Sequence, residues 1–381
     1  MQIMLLGAGA SVDCGLPTTK DMPGALLERL GEHDGSRQLF RFVWAGLQFQ
    51  AAADGGADDV DIEDLFNSVQ ALAGRHKSNI APFVAGWHPF IERLERAGQR
   101  GYWNRPERRL AAELSKALDR HVASIARGMS SAYDFERFTE LIVALIEPSS
   151  ARFSSLAVAM VQALRDVLRL KDESKLDYFD PIFEVAQQQD RLAVATLNYD
   201  LVIETASSRR KVPLATGIEE WSEEGRLEFG KAPVKLLKLH GSIDWEEQLE
   251  YPGDSPVLPQ QRVKKVASPT LASPALIFGA GNKLRADGPY LDLLRDFQLE
   301  LDQADHLACV GYSFRDDHVN AVVRSWFNAD LGRHITVVDP SWEKKRSPFA
   351  EQLLNYGRKR LALVVDSARG GLAVALNVPP K

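Results

Sequence analysis

Three short blocks far apart in the chain set the strongest constraint on its fold: Gly7-Ala8-Gly9-Ala10-Ser11, Thr196-Leu197-Asn198-Tyr199-Asp200 and Lys238-Leu239-His240-Gly241-Ser242. Each follows an apolar run that reads as a buried strand. In a parallel sheet all three would open at the same carboxyl edge, which is where nucleotides bind. The first block runs from a strand straight into small residues, so its backbone N–H groups can approach a pyrophosphate at a helix start. It departs from the ordinary dinucleotide fingerprint, because Val12 stands at the last glycine position and no acidic residue closes a second strand.

The remaining pattern supports such a sheet. Gln2 to Leu6 is a brief strand, and Thr19 and Asp21 are candidate caps before a helix at Ala25 to Leu30. From there to about Gln189, apolar spacings of three and four predict helices at 39–49, 62–72, 83–94, 110–125, 135–146, 156–170 and 182–188. Strand signals return at 192–196, 234–240, 275–278, 306–311 and 335–338, several of them separated by helix-length segments at 290–303, 316–327 and 341–356. The expected fold is therefore α/β: a doubly wound, mostly parallel Rossmann-like sheet with a large, mainly helical insertion. Residues 1–20 and 190–381 form the sheet-bearing domain and 21–189 the insertion, which would shield the site or mediate assembly. The Pro-, Ser-, Lys- and Gln-rich stretch from Glu246 to Pro274 reads as a long irregular loop near the site.

Composition removes several classes. A formal charge of −6 offers no general attraction to nucleic acid or anionic lipid, so no direct nucleic-acid binding is expected. No apolar run approaches the about 20 residues of a membrane span, and the apolar start lacks the basic flank of a secretory signal, so a cytoplasmic protein is expected. Only Cys14 and Cys309 are present, which permits neither a disulfide framework nor a four-cysteine zinc site. The basic-aromatic stretch with Arg93, Arg96, Arg100 and Trp103 reads as a solvated helix face, with contact to nucleic acid or to an acidic partner as the alternative.

Each chemical candidate also has a plainer reading. Asn198 could cap a helix starting near Tyr199, and His240 could be a structural histidine at a strand end. Asp316-Asp317-His318 resembles a metal triplet, but helix neighbours point apart, so a helix cap is the better reading and no metal is assigned. Cys14 reads as a small buried thiol.

Taken in order, the blocks resemble the sirtuin superfamily: Gly7 to Ser11, then Gly15-Leu16-Pro17-Thr18, Thr196 to Asp200, His240-Gly241, Gly311-Tyr312-Ser313 and Val338-Asp339. The layout, with its helical segment, is more similar to the bacterial sirtuin-like NAD hydrolases of anti-phage defence than to the deacylases. The resemblance implies NAD as substrate. It implies Ala8, Gly9, Ser11 and Thr18 along the pyrophosphate and ribose, Asn198 and Asp200 at the nicotinamide ribose, His240 as catalytic histidine, and Gly311, Ser313 and Asp339 at the adenosine half. It further implies a homo-oligomer held quiet until a partner such as a HerA-type ATPase triggers it. Leu197 stands where the deacylases carry glutamine, and their zinc cysteines are missing. Cleavage of NAD to nicotinamide and ADP-ribose is thus favoured over deacylation or ADP-ribosyl transfer, and a sensor that binds NAD or ADP-ribose without turnover remains the other alternative. The chemistry suits the residues. The reaction passes through an oxocarbenium-like sugar, nicotinamide leaves without acid assistance, and an imidazole with an asparagine amide can activate and orient water.

Overall fold

A computed structural model of the chain describes residues 1–31, 36–53, 60–74, 150–250, 260–267, 274–277, 288–342 and 346–378. They divide into two compact units, Met1–Thr18 with Leu168–Lys381, and Thr19–Val167. The second boundary thus falls some twenty residues before the expected Gln189. The reason is packing: the 3₁₀ helix Glu173–Phe179 and the helix Asp180–Gln188 bury Leu176, Phe179, Ile182 and Phe183 in the sheet-bearing unit.

That unit is built on a seven-stranded parallel sheet in the order β10-β9-β8-β1-β2-β4-β3. Its strands are β1 (Gln2–Leu6), β2 (Leu192–Thr196), β3 (Leu214–Ala215), β4 (Val234–Lys238), β8 (His306–Val310), β9 (His334–Val338) and β10 (Leu361–Val364). The two-residue period of a strand sends alternate side chains to opposite faces. Ile3, Leu5, Ala193, Ala195, Leu307, Cys309 and Val337 enter one core with the helices Tyr290–Asp302, Asp317–Ala329 and Pro348–Gly357. Met4, Leu6, Val194, Leu236, Ala308 and Val310 enter a second core with the helices Asp180–Gln188, Val202–Arg210 and Ala368–Ala375. Each buried Leu, Ile or Val contributes about 1.5–3 kcal/mol, and covering both faces is what lets these strands be apolar throughout.

The strands fix the edge from which the candidate loops leave. β1 lies between β2 and β8, so the chain winds outward one way through β2, β4 and β3 and the other way through β8, β9 and β10. This puts the topological switch point between β1 and β8. The ends are in register: Leu6 pairs with Thr196 and Val310, Thr196 with Lys238, and Val310 with Val338.

The stretch expected as an irregular loop from Glu246 to Pro274 carries strands instead. β5 (Gly241–Glu250), β6 (Gln260–Lys265) and β7 (Pro274–Leu276) form a small antiparallel sheet in the order β6-β5-β7. Its period is masked by polar residues on the outer face, where Glu250 pairs with Lys264 at 2.5 Å, while Trp245 and Val263 are buried within. The helix expected from Ser341 begins at Pro348, where Ser347 Oγ accepts from Ala350 N at 3.2 Å.

The other unit is helical over its described residues. Met22–Arg29, Ser36–Ala53, Ile62–Gly74 and Ser150–Val167 pack on one another through Leu26, Phe40, Phe66, Leu156 and Leu164. Asp21 precedes the first helix, but its side chain makes no capping bond to it. The helices expected at 83–94, 110–125 and 135–146, the arginine-rich stretch with Trp103, and His76, His88 and His121 lie outside the described residues. Among the described residues no helix is long and apolar enough to cross a membrane.

Candidate active site

The ladder of the parallel sheet continues one residue past each strand. Gly7 N donates to Val310 O, Leu197 N to Leu6 O, Leu239 N to Thr196 O, Gly311 N to Val338 O and Asp339 N to Val364 O, over 2.9–3.2 Å. The loops carrying every candidate residue except Thr18 therefore leave from one line at the carboxyl edge. Thr18, half-buried, closes the first segment of the unit.

At the switch point three glycines lock two loops together. A Cβ on Gly311, whose φ is +61°, would lie 2.2 Å from Ala10 N, and one on Gly7 would lie 2.5 Å from Gly311 O. Only glycine permits this approach. The consequence departs from the expected pyrophosphate loop: Gly9 N donates to Gly311 O at 3.0 Å and Ala10 N to Gly7 O at 2.9 Å, so both N–H groups are already used within the protein. A seven-residue 3₁₀ helix, Ala8–Cys14, follows.

Next to the glycines lies a buried polar network. Asn198 Nδ2 donates to Gly7 O at 3.0 Å and to Ser11 Oγ at 3.2 Å, and Ser11 Oγ donates to Asp200 Oδ2 at 2.8 Å. A carbonyl oxygen only accepts, so the Gly7 contact fixes which amide atom is nitrogen and leaves Asn198 Oδ1 as the amide atom that these bonds do not engage. Asn198 does not cap a helix. The helix that follows begins at Val202 with Leu201 as its N-cap residue, and Asp200 Oδ1 accepts from Val202 N at 3.1 Å. Both Asp200 oxygens are thus engaged inside the protein, which makes it a residue that holds Ser11 and the helix start. Burial pushes its carboxyl above the usual range, against the opposing pull of the Lys238 ammonium.

Lys238, 1% exposed, is a further residue of this network to which the sequence pattern alone gives no role. Its Nζ donates to Asp200 O and, at 2.8 Å, to Glu204 Oε1, tying β4 to the helix Val202–Arg210. A lysine inside an apolar strand run was the available signal, since such a residue needs a buried acceptor.

His240 forms a second cluster. Its Nε2 lies 2.9 Å from Asp316 Oδ2, with both side chains buried, and Asp316 Oδ1 accepts from His318 N and Val319 N as the cap of the helix Asp317–Ala329. The cap reading of the Asp316 triplet therefore holds, but the partnership with His240 was not legible. Among the described residues, His240 Nδ1 and Ser242 Oγ are buried without a hydrogen-bond partner. The Tyr199 ring lies 6.3 Å from the imidazole, and its hydroxyl donates to Ile277 O.

Among the described residues, neither Ser313 nor Asp339 is hydrogen-bonded to either cluster. Ser313 is exposed, and Asp339 Oδ1 accepts from Ser341 N at 2.7 Å in a local turn. Cys14 is buried and donates to Ser11 O, and burial pushes its thiol up to about 11, so it is a packed thiol and not a nucleophile. An open cavity of about 430 Å³ lies beside Glu204, Asp244 and Lys265, and none of the sequence-identified residues lines it. Among the described residues no group of three His, Cys, Asp or Glu side chains stands together as a metal site would.

A two-sided parallel sheet with glycines crossing at its switch point and a polar network at its carboxyl edge defines the doubly wound, Rossmann-type α/β class. Within it, residues 192–357, less than half of the chain, match the family model described as the SIR2-like domain. The matched segment contains Asn198, Asp200, His240, Gly311 and Asp316, and leaves out the Gly7 to Ser11 loop. Among solved structures the chain is similar to a triply substituted Sir2 homologue in complex with 2′-O-acetyl ADP-ribose, at 13% identity and a TM-score of 0.39, covering 99% of this chain and 90% of that one. It is also similar to a Sir2 homologue in complex with NAD, at 12% identity and a TM-score of 0.37, covering 99% and 88%. Both likenesses are distant. No curated protein matches the sequence.

Proposed function

We propose that the chain is an NAD glycohydrolase that cleaves NAD to nicotinamide and ADP-ribose. The observation that carries the reading is the orientation of Asn198: with both amide hydrogens held by Gly7 O and Ser11 Oγ, its Oδ1 is an acceptor fixed at the carboxyl edge. Such an acceptor can hold a ribose hydroxyl or the attacking water, and the unpartnered nitrogen of His240 can take a proton. The SIR2-like match over 192–357 supports NAD as the substrate, and no step requires a metal. The sirtuin resemblance further supports a cytoplasmic homo-oligomer that stays silent until a HerA-type ATPase engages it, as an abortive-infection effector.

The test is incubation of the purified protein with NAD, alone and with lysate from cells carrying the neighbouring genes, while nicotinamide and ADP-ribose are followed by chromatography. Wild type is expected to release both, and Asn198→Ala and His240→Ala to lose about 10²–10⁴-fold in rate. Bound NAD without turnover in either condition would overturn the reading in favour of a binding module. Acylated ADP-ribose formed with an acyl-lysine peptide would overturn it in favour of a deacylase.

A further inference from the structure

We infer that Asp316 is a positioning residue that fixes the tautomer of His240 and makes Nδ1 the atom that takes the proton. The kinetic part of this inference rests on the hydrolase reading, and the tautomer part does not. Asp316 Oδ2 sits 2.9 Å from His240 Nε2, and Asp316 Oδ1 accepts two backbone N–H groups at 3.0 and 3.1 Å. The two backbone donors on Oδ1 suit an ionised carboxylate, which only accepts. Nε2 must then carry the hydrogen, and in the neutral ring the lone pair lies on Nδ1. Nδ1 is the buried nitrogen that has no partner among the described residues.

The surrounding loop leaves the carboxylate little freedom. Phe314 holds a positive φ of 56°, a conformation that a bulky residue keeps only when its surroundings impose it. Those surroundings are visible: Asn320 Nδ2 donates to Phe314 O at 2.9 Å, Tyr312 Oη donates to Asn320 Oδ1 at 2.9 Å, and the Phe314 ring is buried among Tyr312, Trp342 and Phe349. With Oδ1 held by the helix start, Oδ2 is the oxygen left for the imidazole. In the reaction, water forms its bond to the ribose anomeric carbon as the bond to nicotinamide breaks. The nicotinamide nitrogen keeps the electron pair, and the water proton passes to Nδ1. The imidazolium so formed faces Asp316 and later returns its proton to solvent.

The test is ¹⁵N NMR of histidine-labelled protein at about pH 8, where an ordinary imidazole is neutral, with the His240 signals assigned by their loss in His240→Gln. Wild type is expected to show a single Nε2–H tautomer. Asp316→Asn keeps a capping oxygen for the helix, but its amide N–H faces Nε2, so the Nδ1–H form should appear. Asp316→Ser also caps and is too short to reach the ring, so both tautomers should appear. In nicotinamide release, each variant should lose roughly 10²–10⁴-fold in kcat with KM changed less than about threefold. A wild-type ring protonated at Nδ1, a tautomer unmoved by Asp316→Asn, or a kcat within about threefold of wild type would each overturn the inference. Absence of any turnover by wild type would sink the hydrolase reading alone, and the NMR result would still decide the tautomer.

Discussion

His306 and His240 are both buried histidines of the same sheet unit, but they lie at opposite edges. At the amino edge, His306 stacks on His334 at 4.4 Å and meets only neutral side-chain partners, Thr336 Oγ1 at 2.9 Å and Gln2 Oε1 at 3.3 Å. At the carboxyl edge, His240 meets a carboxylate through one nitrogen and nothing among the described residues through the other. The neighbouring charges follow the same division. Lys235, at the amino end of β4, is held by Glu300 at 3.0 Å and Asp296 at 3.4 Å. At the carboxyl edge Asn198 keeps an acceptor in reserve. The amino edge thus uses its polar groups to close the fold, whereas the carboxyl edge leaves His240 Nδ1 and Ser242 Oγ without a hydrogen-bond partner among the described residues. In a parallel sheet all loops that can diverge in this way leave from one side, so a site gathers there.

The most severe way to break the comparison is at the switch point itself. Gly311→Ala would place a Cβ within 2.2 Å of Ala10 N at a residue with φ +61°. It should cost about 3–5 kcal/mol and unseat the Gly7 to Ser11 loop, to be read as a lowered urea midpoint together with lost NAD turnover. An alanine variant of wild-type stability would show that the two loops are not locked.

At the other edge, burial, then the stacked His334, holds the His306 imidazole down at about 4. The folded value lies below the ordinary 6.5, so neutral His306 stabilises the protein. That contribution is complete above about pH 6.5 and is lost as pH falls through about 4, amounting to about 3 kcal/mol. Urea unfolding at pH 7 and at pH 4.5 should show this loss in wild type and a shallower one in His306→Gln. Equal slopes would remove His306 from the closed set.

The smallest effect is expected from Ser11→Ala. It takes the donor from Asp200 Oδ2 and one of the two acceptors from Asn198 Nδ2, at about 1–2 kcal/mol of stability. The asymmetry is sharpened if NAD turnover falls more than tenfold while the melting temperature moves by only a few degrees. Unchanged turnover would separate Asn198 from Ser11 in function.

Much of this arrangement was readable beforehand, and the misses have physical causes. The unbroken apolar runs Ile3 to Leu6 and Leu192 to Ala195 indicated a doubly covered parallel sheet, whereas the close approach of Gly7 and Gly9 to Gly311 is a contact between distant loops that neither run contains. The helix expected near Tyr199 begins three residues later, because the Asn198 amide is held by Gly7 and Ser11 and the first helical N–H, that of Val202, is met by Asp200. The strands within 246–274 escaped notice because a small sheet with a charged outer face shows no apolar alternation. Edge strand β10 was missed for a related reason: it is four residues long and largely exposed.

By itself, then, the sequence determined the fold class, the sheet edge from which the candidate loops leave, and the residue types available there, since apolar strand runs and small-residue turns are local properties carried by neighbours in the chain. Tertiary structure alone decided what those residues do. It turned Asp200 inward to Ser11, set Lys238 between Asp200 O and Glu204, and brought Asp316 to His240 across 76 positions of chain. A pairing of that kind has no sequence period. It exists because β4 and β8 end at the same edge of one sheet, and the low-dielectric interior then makes each buried polar group seek the partner that the fold places within reach.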